Sequence, residues 1–157
     1  PTTDFAKTGL FNILNNEFDF TEISFLDLFA GTGSLSYEFA SRGCPRIVSV
    51  ERDNKCQQFI LKMKAEWKIP ALELYKGDVF QFINTCSEKF DVIFAGPPYA
   101  LETIDNIPDL IFEKQLLNVG GWFVIETDPR HNFETHPKFL RSRNYGDTIF
   151  SIFEQTN

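Results

Sequence analysis

Apolar and polar positions along the chain change period repeatedly, and each change marks a passage between helix and strand. Phe5, Leu10, Phe11, Ile13 and Leu14 follow Thr2-Thr3-Asp4 at helical spacing, which predicts an N-capped amphipathic helix ending near Asn15-Asn16. The run Phe25-Leu26-Asp27-Leu28-Phe29-Ala30 is apolar apart from one acid and reads as a buried parallel strand that stops in the turn Gly31-Thr32-Gly33. Leu35, Tyr37, Phe39 and Ala40 then predict a helix over 35–42, capped by Ser34 and closed by Gly43. The alternation continues with a strand over 46–51, a helix capped by Asp53 and running through Phe59, Ile60, Met63 and Trp67, and a strand over 71–75. A short helix over 79–85 and a strand over 90–95 follow. Residues 101–117 are helical in pattern, with Pro108 kinking or dividing the helix. Gly120-Gly121 introduces a strand over 122–127, and the stretches 139–143 and 148–153 flank Asn144-Tyr145-Gly146-Asp147 as a hairpin.

Five strands alternating with helices, and then a hairpin, predict an α/β fold: a doubly wound, mostly parallel seven-stranded sheet with an antiparallel C-terminal hairpin strand. No repeat, low-complexity segment or linker divides the 157 residues, so 1–157 reads as one domain. The 18 phenylalanines add the expectation of an aromatic core. No apolar run has membrane-spanning length and no signal-peptide pattern opens the chain, which points to the cytoplasm. Cys44, Cys56 and Cys86 are far apart and odd in number, so reduced thiols are expected rather than disulfides or a zinc site. The net charge of −7 argues against a free-standing, non-specific nucleic-acid binder; such a substrate needs a local basic face or a partner.

Open α/β sheets bind ligands beyond the carboxyl ends of their strands. At those ends the pattern puts Asp27 with Gly31 and Gly33, Glu51, Asp78, and Gly96-Pro97-Pro98-Tyr99. Gly31-Thr32-Gly33 lacks the third glycine of the dinucleotide fingerprint, and no Gly-Lys-Ser/Thr follows it. An acid before a short Gly-x-Gly turn suits a zwitterion: carboxylate toward ammonium, backbone N–H groups toward carboxylate. S-adenosylmethionine fits that description. Glu51 can accept from a ribose diol or cap the next helix, and Asp78 can recognise an adenine amino group while capping Val79. Asp27, at the end of an apolar strand, needs a partner if buried. Pro97-Pro98 makes a rigid turn with outward carbonyls, and Tyr99 offers a face on which a base can stack.

Four blocks carry a resemblance: Pro1-Thr2-Thr3-Asp4 with Leu10-Phe11-Asn12-Ile13-Leu14, the stretch from Asp27 to Leu35, Pro97-Pro98-Tyr99, and Tyr145-Gly146-Asp147-Thr148. Together they resemble, nearly end to end, a class I S-adenosylmethionine-dependent methyltransferase with a Rossmann-like fold. More narrowly, they are similar to the bacterial family that methylates the exocyclic N2 of a guanine in 16S ribosomal RNA. The family has a basic N-terminal segment ahead of the Pro-Thr-Thr-Asp block, and a sequence opening at Pro1 is expected to have lost it. The resemblance implies that Asp27, Ala30, Gly31, Thr32 and Gly33 hold the methionine part of the cofactor, Glu51 with Arg52 the ribose side, and Asp78 with Val79 the adenine. It implies that Gly96, Pro97, Pro98 and Tyr99 position the target base. His131 and His136 show no metal-ligand spacing, so no metal is expected. The resemblance also implies a cytoplasmic monomer acting on 16S rRNA or a partly assembled small ribosomal subunit.

In that family an acid or amide precedes Pro-Pro, where this chain has Gly96. Loss of one charged acceptor costs on the order of 2–4 kcal/mol of barrier, so normal cofactor binding is expected together with slowed, rescued or abolished transfer. Asp91, five residues upstream on the same strand, is not a substitute. Competing readings are a catalytically impaired cofactor-binding ribosome-assembly module, a DNA amino-methyltransferase acting on adenine N6 or cytosine N4, and, more distantly, a nicotinamide oxidoreductase. Arg130, Lys138, Arg141 and Arg143, with His131 and His136, are either an RNA-facing rim or an ordinary solvated surface.

Overall fold

The computed structural model describes residues 2–157. Seven strands, β1 (Ser24–Leu28), β2 (Arg46–Glu51), β3 (Leu72–Lys76), β4 (Phe90–Ala95), β5 (Leu117–Thr127), β6 (Phe139–Tyr145) and β7 (Thr148–Glu154), form one sheet in the order β3-β2-β1-β4-β5-β7-β6. The first five run parallel, and β7 lies antiparallel between β5 and β6. The chain winds outward from β1 to β3 and then returns to pair β4 with β1. This reversal leaves a crevice at the carboxyl ends of β1 and β4, where α/β sheets place their ligands.

Helices cover both faces, because alternate residues of each buried strand point to opposite sides. Phe25, Ile47, Val92, Trp122 and Val124 pack on one side with Leu10, Phe11 and Leu14 of α1 (Asp4–Glu17), Leu35 and Phe39 of α2 (Ser34–Ser41), and Ile60 of α3 (Asn54–Glu66). Leu26, Leu28, Val50, Ile93 and Phe123 pack on the other with Val79, Phe82 and Ile83 of α4 (Val79–Thr85) and Ile107 and Ile111 of α5 (Ile107–Glu113). The expected aromatic core is present: the Phe25 and Phe39 rings stack with centroids 3.6 Å apart and planes 3° from parallel. Among the described residues no helix is long and apolar enough to cross a membrane. The three cysteines are free, and burial pushes the Cys44 thiol up to about 11.

Three local expectations are corrected. Gly33, not Ser34, caps α2; it sits at φ 89, and an added Cβ would lie 2.6 Å from the Tyr37 ring, so the turn needs a residue with no side chain and a left-handed backbone. Residues 101–117 do not make one helix. A single 3-10 turn, Ile104–Asn106, leads into α5, where Pro108 occupies the first turn and its missing N–H leaves no bond unmade. The fifth strand begins at Leu117 rather than 122, through a register shift between the Phe90–Leu117 and Val92–Trp122 pairs. Gly121 lies in that irregular stretch, and a Cβ there would come within 2.8 Å of the Asn118 carbonyl oxygen and 2.9 Å of that of Asp91.

Candidate functional site

β1 delivers the first part of the site. Asp27 shares a sheet face with Phe25 and so points toward α2, where it is 2 % exposed and accepts a hydrogen bond from Ser36 Oγ at 2.6 Å. Ser36 in turn meets Ser49 Oγ at 2.7 Å, and this buried hydroxyl pair supplies the partner the acid needed. Burial pushes the Asp27 carboxyl up to about 7, against the opposing Ser36 hydrogen bond and with the Glu51 charge adding to the rise. Past β1 the backbone alternates through left-handed conformations at Phe29 (φ 60), Gly31 (φ 60) and Gly33 (φ 89). A bulky side chain with positive φ is rare, and Phe29 is held there by packing against Phe80, ring centroids 6.3 Å apart.

Glu51, at the end of β2, closes the turn. Its Oε1 accepts from Gly31 N–H at 2.6 Å and its Oε2 from Asp53 N–H at 2.9 Å, so one carboxylate clamps the glycine loop to the start of α3. Arg52 beside it is exposed at the cleft wall. Asp78 caps α4 through Gln81 N–H at 3.1 Å, as its position predicts, and with Val79 it lines the same cleft. The cap of α3 by Asp53 is likewise present.

β4 supplies the opposite wall. Beyond Ala95 the chain passes Gly96 and buried Pro97 to exposed Pro98 and Tyr99, the latter 39 % exposed. Tyr99 Oη donates to Glu126 Oε2 at 3.1 Å. Burial, and then the charge of Glu126, hold the phenol above its ordinary value. Glu126 itself is buried at the end of β5 and also accepts from Thr2 Oγ1, which brings the residues ahead of α1 to the cleft. Lys7 Nζ on α1 reaches Ser34 Oγ at 3.1 Å, tying the same helix to the glycine turn.

The result is one cleft of about 720 Å³, within the range of ligand sites. Asp27, Ala30, Gly31, Thr32, Glu51, Arg52, Asp78, Val79, Gly96, Pro97, Pro98 and Tyr99 all line it; Gly33 does not, being buried beneath the turn as the α2 cap. Thr2, Cys56, Phe80, Leu101 and Glu126 also line it and were not among the site residues expected from sequence. Glu126 carried the same signal as Asp27 and Glu51, an acid ending an apolar strand. A second hollow of about 450 Å³ beside α5 shares only Phe80 with the cleft. Among the described residues no cluster of acids, histidines and cysteines could hold a metal.

Four of the residues near the C-terminus, Arg130, His131, His136 and Arg141, have local partners. Arg130 is neutralised by Asp128 at 2.6 Å while reaching the Tyr99 carbonyl at 3.4 Å. His131 and His136 bond Asp105 and Asp109, fastening their loop to the segment around α5. Arg141 lies over the Trp122 ring, 5.4 Å from its centroid. Asp91 sits at the start of β4, accepting from Ser24 N–H at 2.9 Å and Asn118 Nδ2 at 3.1 Å, away from the cleft as expected.

Comparison with known proteins identifies the family. The family model described as conserved hypothetical protein 95 matches residues 1–154. YlbH of Bacillus subtilis is 33 % identical over 162 residues, covering 99 % of this chain and 87 % of the relative. Ribosomal RNA small subunit methyltransferase D of Escherichia coli is 24 % identical over 158 residues, covering 99 % and 79 % respectively. The solved structure of a Thermus thermophilus 16S rRNA N2 methyltransferase in complex with AdoMet and guanosine superposes with a TM-score of 0.76 at 20 % identity, over 98 % of this chain and 44 % of that one. With its sheet order, its acid-and-glycine turn and its Pro-Pro-Tyr wall, the chain belongs to the conserved hypothetical protein 95 family, a group of S-adenosylmethionine-dependent class I methyltransferases that includes the ribosomal RNA small subunit methyltransferase D proteins.

Proposed function

We propose that this chain methylates the exocyclic N2 of a guanine in 16S ribosomal RNA, acting in the cytoplasm on the small subunit or its precursor. One observation carries the reading. A single cleft joins a strand-end acid and glycine turn on one wall to the Pro97-Pro98-Tyr99 turn on the other, so a cofactor and a flat base have adjoining places.

The cofactor end suits S-adenosylmethionine. Gly31 lines the cleft at φ 60, and an added Cβ would meet nothing within 4 Å, so backbone rather than side chain faces the space. Asp27 is a buried carboxylate with no cationic partner among the described residues, which suits an ammonium group. In this reading Ala30, Gly31, Thr32 and the cap at Gly33 shape the turn around the methionine part. Glu51 keeps further acceptor positions for ribose hydroxyls while clamping Gly31, Arg52 borders it, and Asp78 with Val79 meets the adenine. When bound, S-adenosylmethionine supplies an electrophilic methyl group.

The chain's task at the other end is to stack the base on Tyr99, exclude water with Pro97 and Pro98, and direct the amine lone pair inward. Orientation and preorganised hydrogen bonding supply most of the rate in such a site. The family's curated members named as rRNA small subunit methyltransferases favour a ribosomal substrate. The measurement is transfer of labelled methyl from S-adenosylmethionine to undermethylated small ribosomal subunits, followed by nucleoside analysis. N2-methylguanosine is expected; cofactor binding without transfer to any small-subunit particle would refute the assignment and favour a cofactor-binding assembly module.

A further inference from the structure

An amine that is to receive a methyl group presents N–H donors as well as its lone pair, and inside a cleft those donors need acceptors. Gly96 contributes no side chain, so the β4 wall offers no carboxylate or amide acceptor. Glu126 supplies what is absent from that wall. On β5, residues 122, 124 and 126 share one sheet face with 92, 94 and 96 of the β4 wall, because β5 pairs with β4 in parallel register. A Cβ built on Gly96 would lie 3.9 Å from Glu126 Oε1, so this carboxylate reaches the space that a side chain at 96 would enter.

Glu126 also has capacity to spare. It is 6 % exposed, and its two oxygens each take one donor, Thr2 Oγ1 at Oε1 and Tyr99 Oη at Oε2. A carboxylate has about four acceptor positions, which leaves one on each oxygen. No lysine or arginine pairs with it among the described residues. The cleft's other carboxylates stand at the cofactor end in the reading above, Asp27 beside Ser36, Glu51 clamping Gly31 and Asp53, and Asp78 at the start of α4.

We propose that Glu126 is the amine acceptor of this site. It takes one N–H of the target guanine amine at Oε1 while holding Tyr99 with Oε2, so the base is fixed in its plane and in its orientation by one side chain. The inference rests on the guanine-N2 reading above. It has a consequence for position 96: Gly96→Asp in the otherwise unchanged protein puts a second carboxylate beside the first, with its Cβ only 3.0 Å from the Phe94 ring, and does not raise activity.

The test compares the unchanged chain with Glu126→Gln, Tyr99→Phe and the double variant Glu126→Gln/Gly96→Asp, each checked by thermal melting. Glu126→Gln is expected to lower kcat on undermethylated small subunits about a hundredfold with cofactor affinity unchanged. Tyr99→Phe, which keeps the stacking face, should lose less than about tenfold, a bound taken from one neutral hydrogen bond. The double variant should regain at least about tenfold over Glu126→Gln, again on the scale of one acceptor. Binding gives a readout independent of turnover: NMR titration of the S-adenosylhomocysteine complex with guanosine and with inosine, which lacks the amine. A preference for guanosine of about tenfold or more is expected in the unchanged chain and lost in Glu126→Gln. Glu126→Asp, which withdraws the same charge by one methylene, repeats the comparison should the glutamine variant melt early.

Transfer by Glu126→Gln within about threefold of the unchanged chain, a small change on the acceptor scale, would overturn the proposal, as would an equal loss in Tyr99→Phe or an undiminished guanosine preference. If the unchanged chain binds cofactor yet methylates no small-subunit guanine, the functional reading falls and takes the proposal with it. An active chain indifferent to Glu126 sinks the proposal alone.

Discussion

Replacing Asp27 with Asn separates what that carboxyl does for the fold from what it does for the ligand. The side chain is 2 % exposed, and burial, reinforced by Glu51, raises its pKa from 3.8 to about 7 despite the Ser36 bond. The sign follows directly. Between about pH 4 and pH 7 the folded chain holds a proton that the unfolded chain has released, so stability falls as pH rises through this window and levels off above it. One pH unit of such a difference is worth about 1.4 kcal/mol. Between pH 5 and pH 8 Asp27 therefore removes about 3 kcal/mol of stability from the ligand-free protein. Asn has the shape of the protonated acid, can still accept from Ser36 and never ionises. Urea unfolding of both proteins without ligand should show the Asn variant gaining about 3 kcal/mol on the parent between pH 5 and pH 8; groups that do not interact with Asp27 titrate alike in the two chains and cancel. Cofactor binding should move the opposite way. Calorimetric titration with S-adenosylmethionine should show tighter binding by the parent as pH rises through 7, as its carboxylate ionises, and weak, pH-insensitive binding by the variant. Parallel stability curves for the two proteins would refute the reasoning, because Asp27 would then titrate near its ordinary value.

Glu51→Gln keeps an acceptor for Gly31 N–H but turns a donor toward Asp53 N–H, and should weaken S-adenosylmethionine binding about tenfold by calorimetry while leaving melting within a few degrees. Gly121→Ala brings a Cβ within 3 Å of two backbone oxygens and should destabilise the protein by about 2–3 kcal/mol in urea unfolding, without altering the cleft. Phe39→Ala removes the ring stacked on Phe25 and should cost about 3–5 kcal/mol, read by the same method.

Much of this protein follows from local sequence. Strands over apolar runs, caps at Thr3, Asp53 and Asp78, and a two-residue turn at Gly146-Asp147 are set by neighbours within a few positions. The candidate cleft residues were legible for the same reason: in a parallel sheet every strand-end acid or turn arrives at one edge. Local pattern failed where the decisive contact is distant in sequence. Gly33 rather than Ser34 caps α2 because Tyr37 crowds any side chain there and the backbone is left-handed. Leu117 joins β5 because Phe90 pairs with it across the sheet, which no helical period between 101 and 117 reveals. Glu51 as a clamp on Gly31 needs β2 beside β1, and Glu126 beside Gly96 needs β5 beside β4; in each case 20 or more residues separate partners that only strand pairing brings within reach. The sequence by itself determined which residue types end each strand, because burial and turn chemistry act locally. Which of those ends face one another, and so which carboxylate stands where Gly96 has none, was decided by strand order and register, which are properties of the assembled sheet.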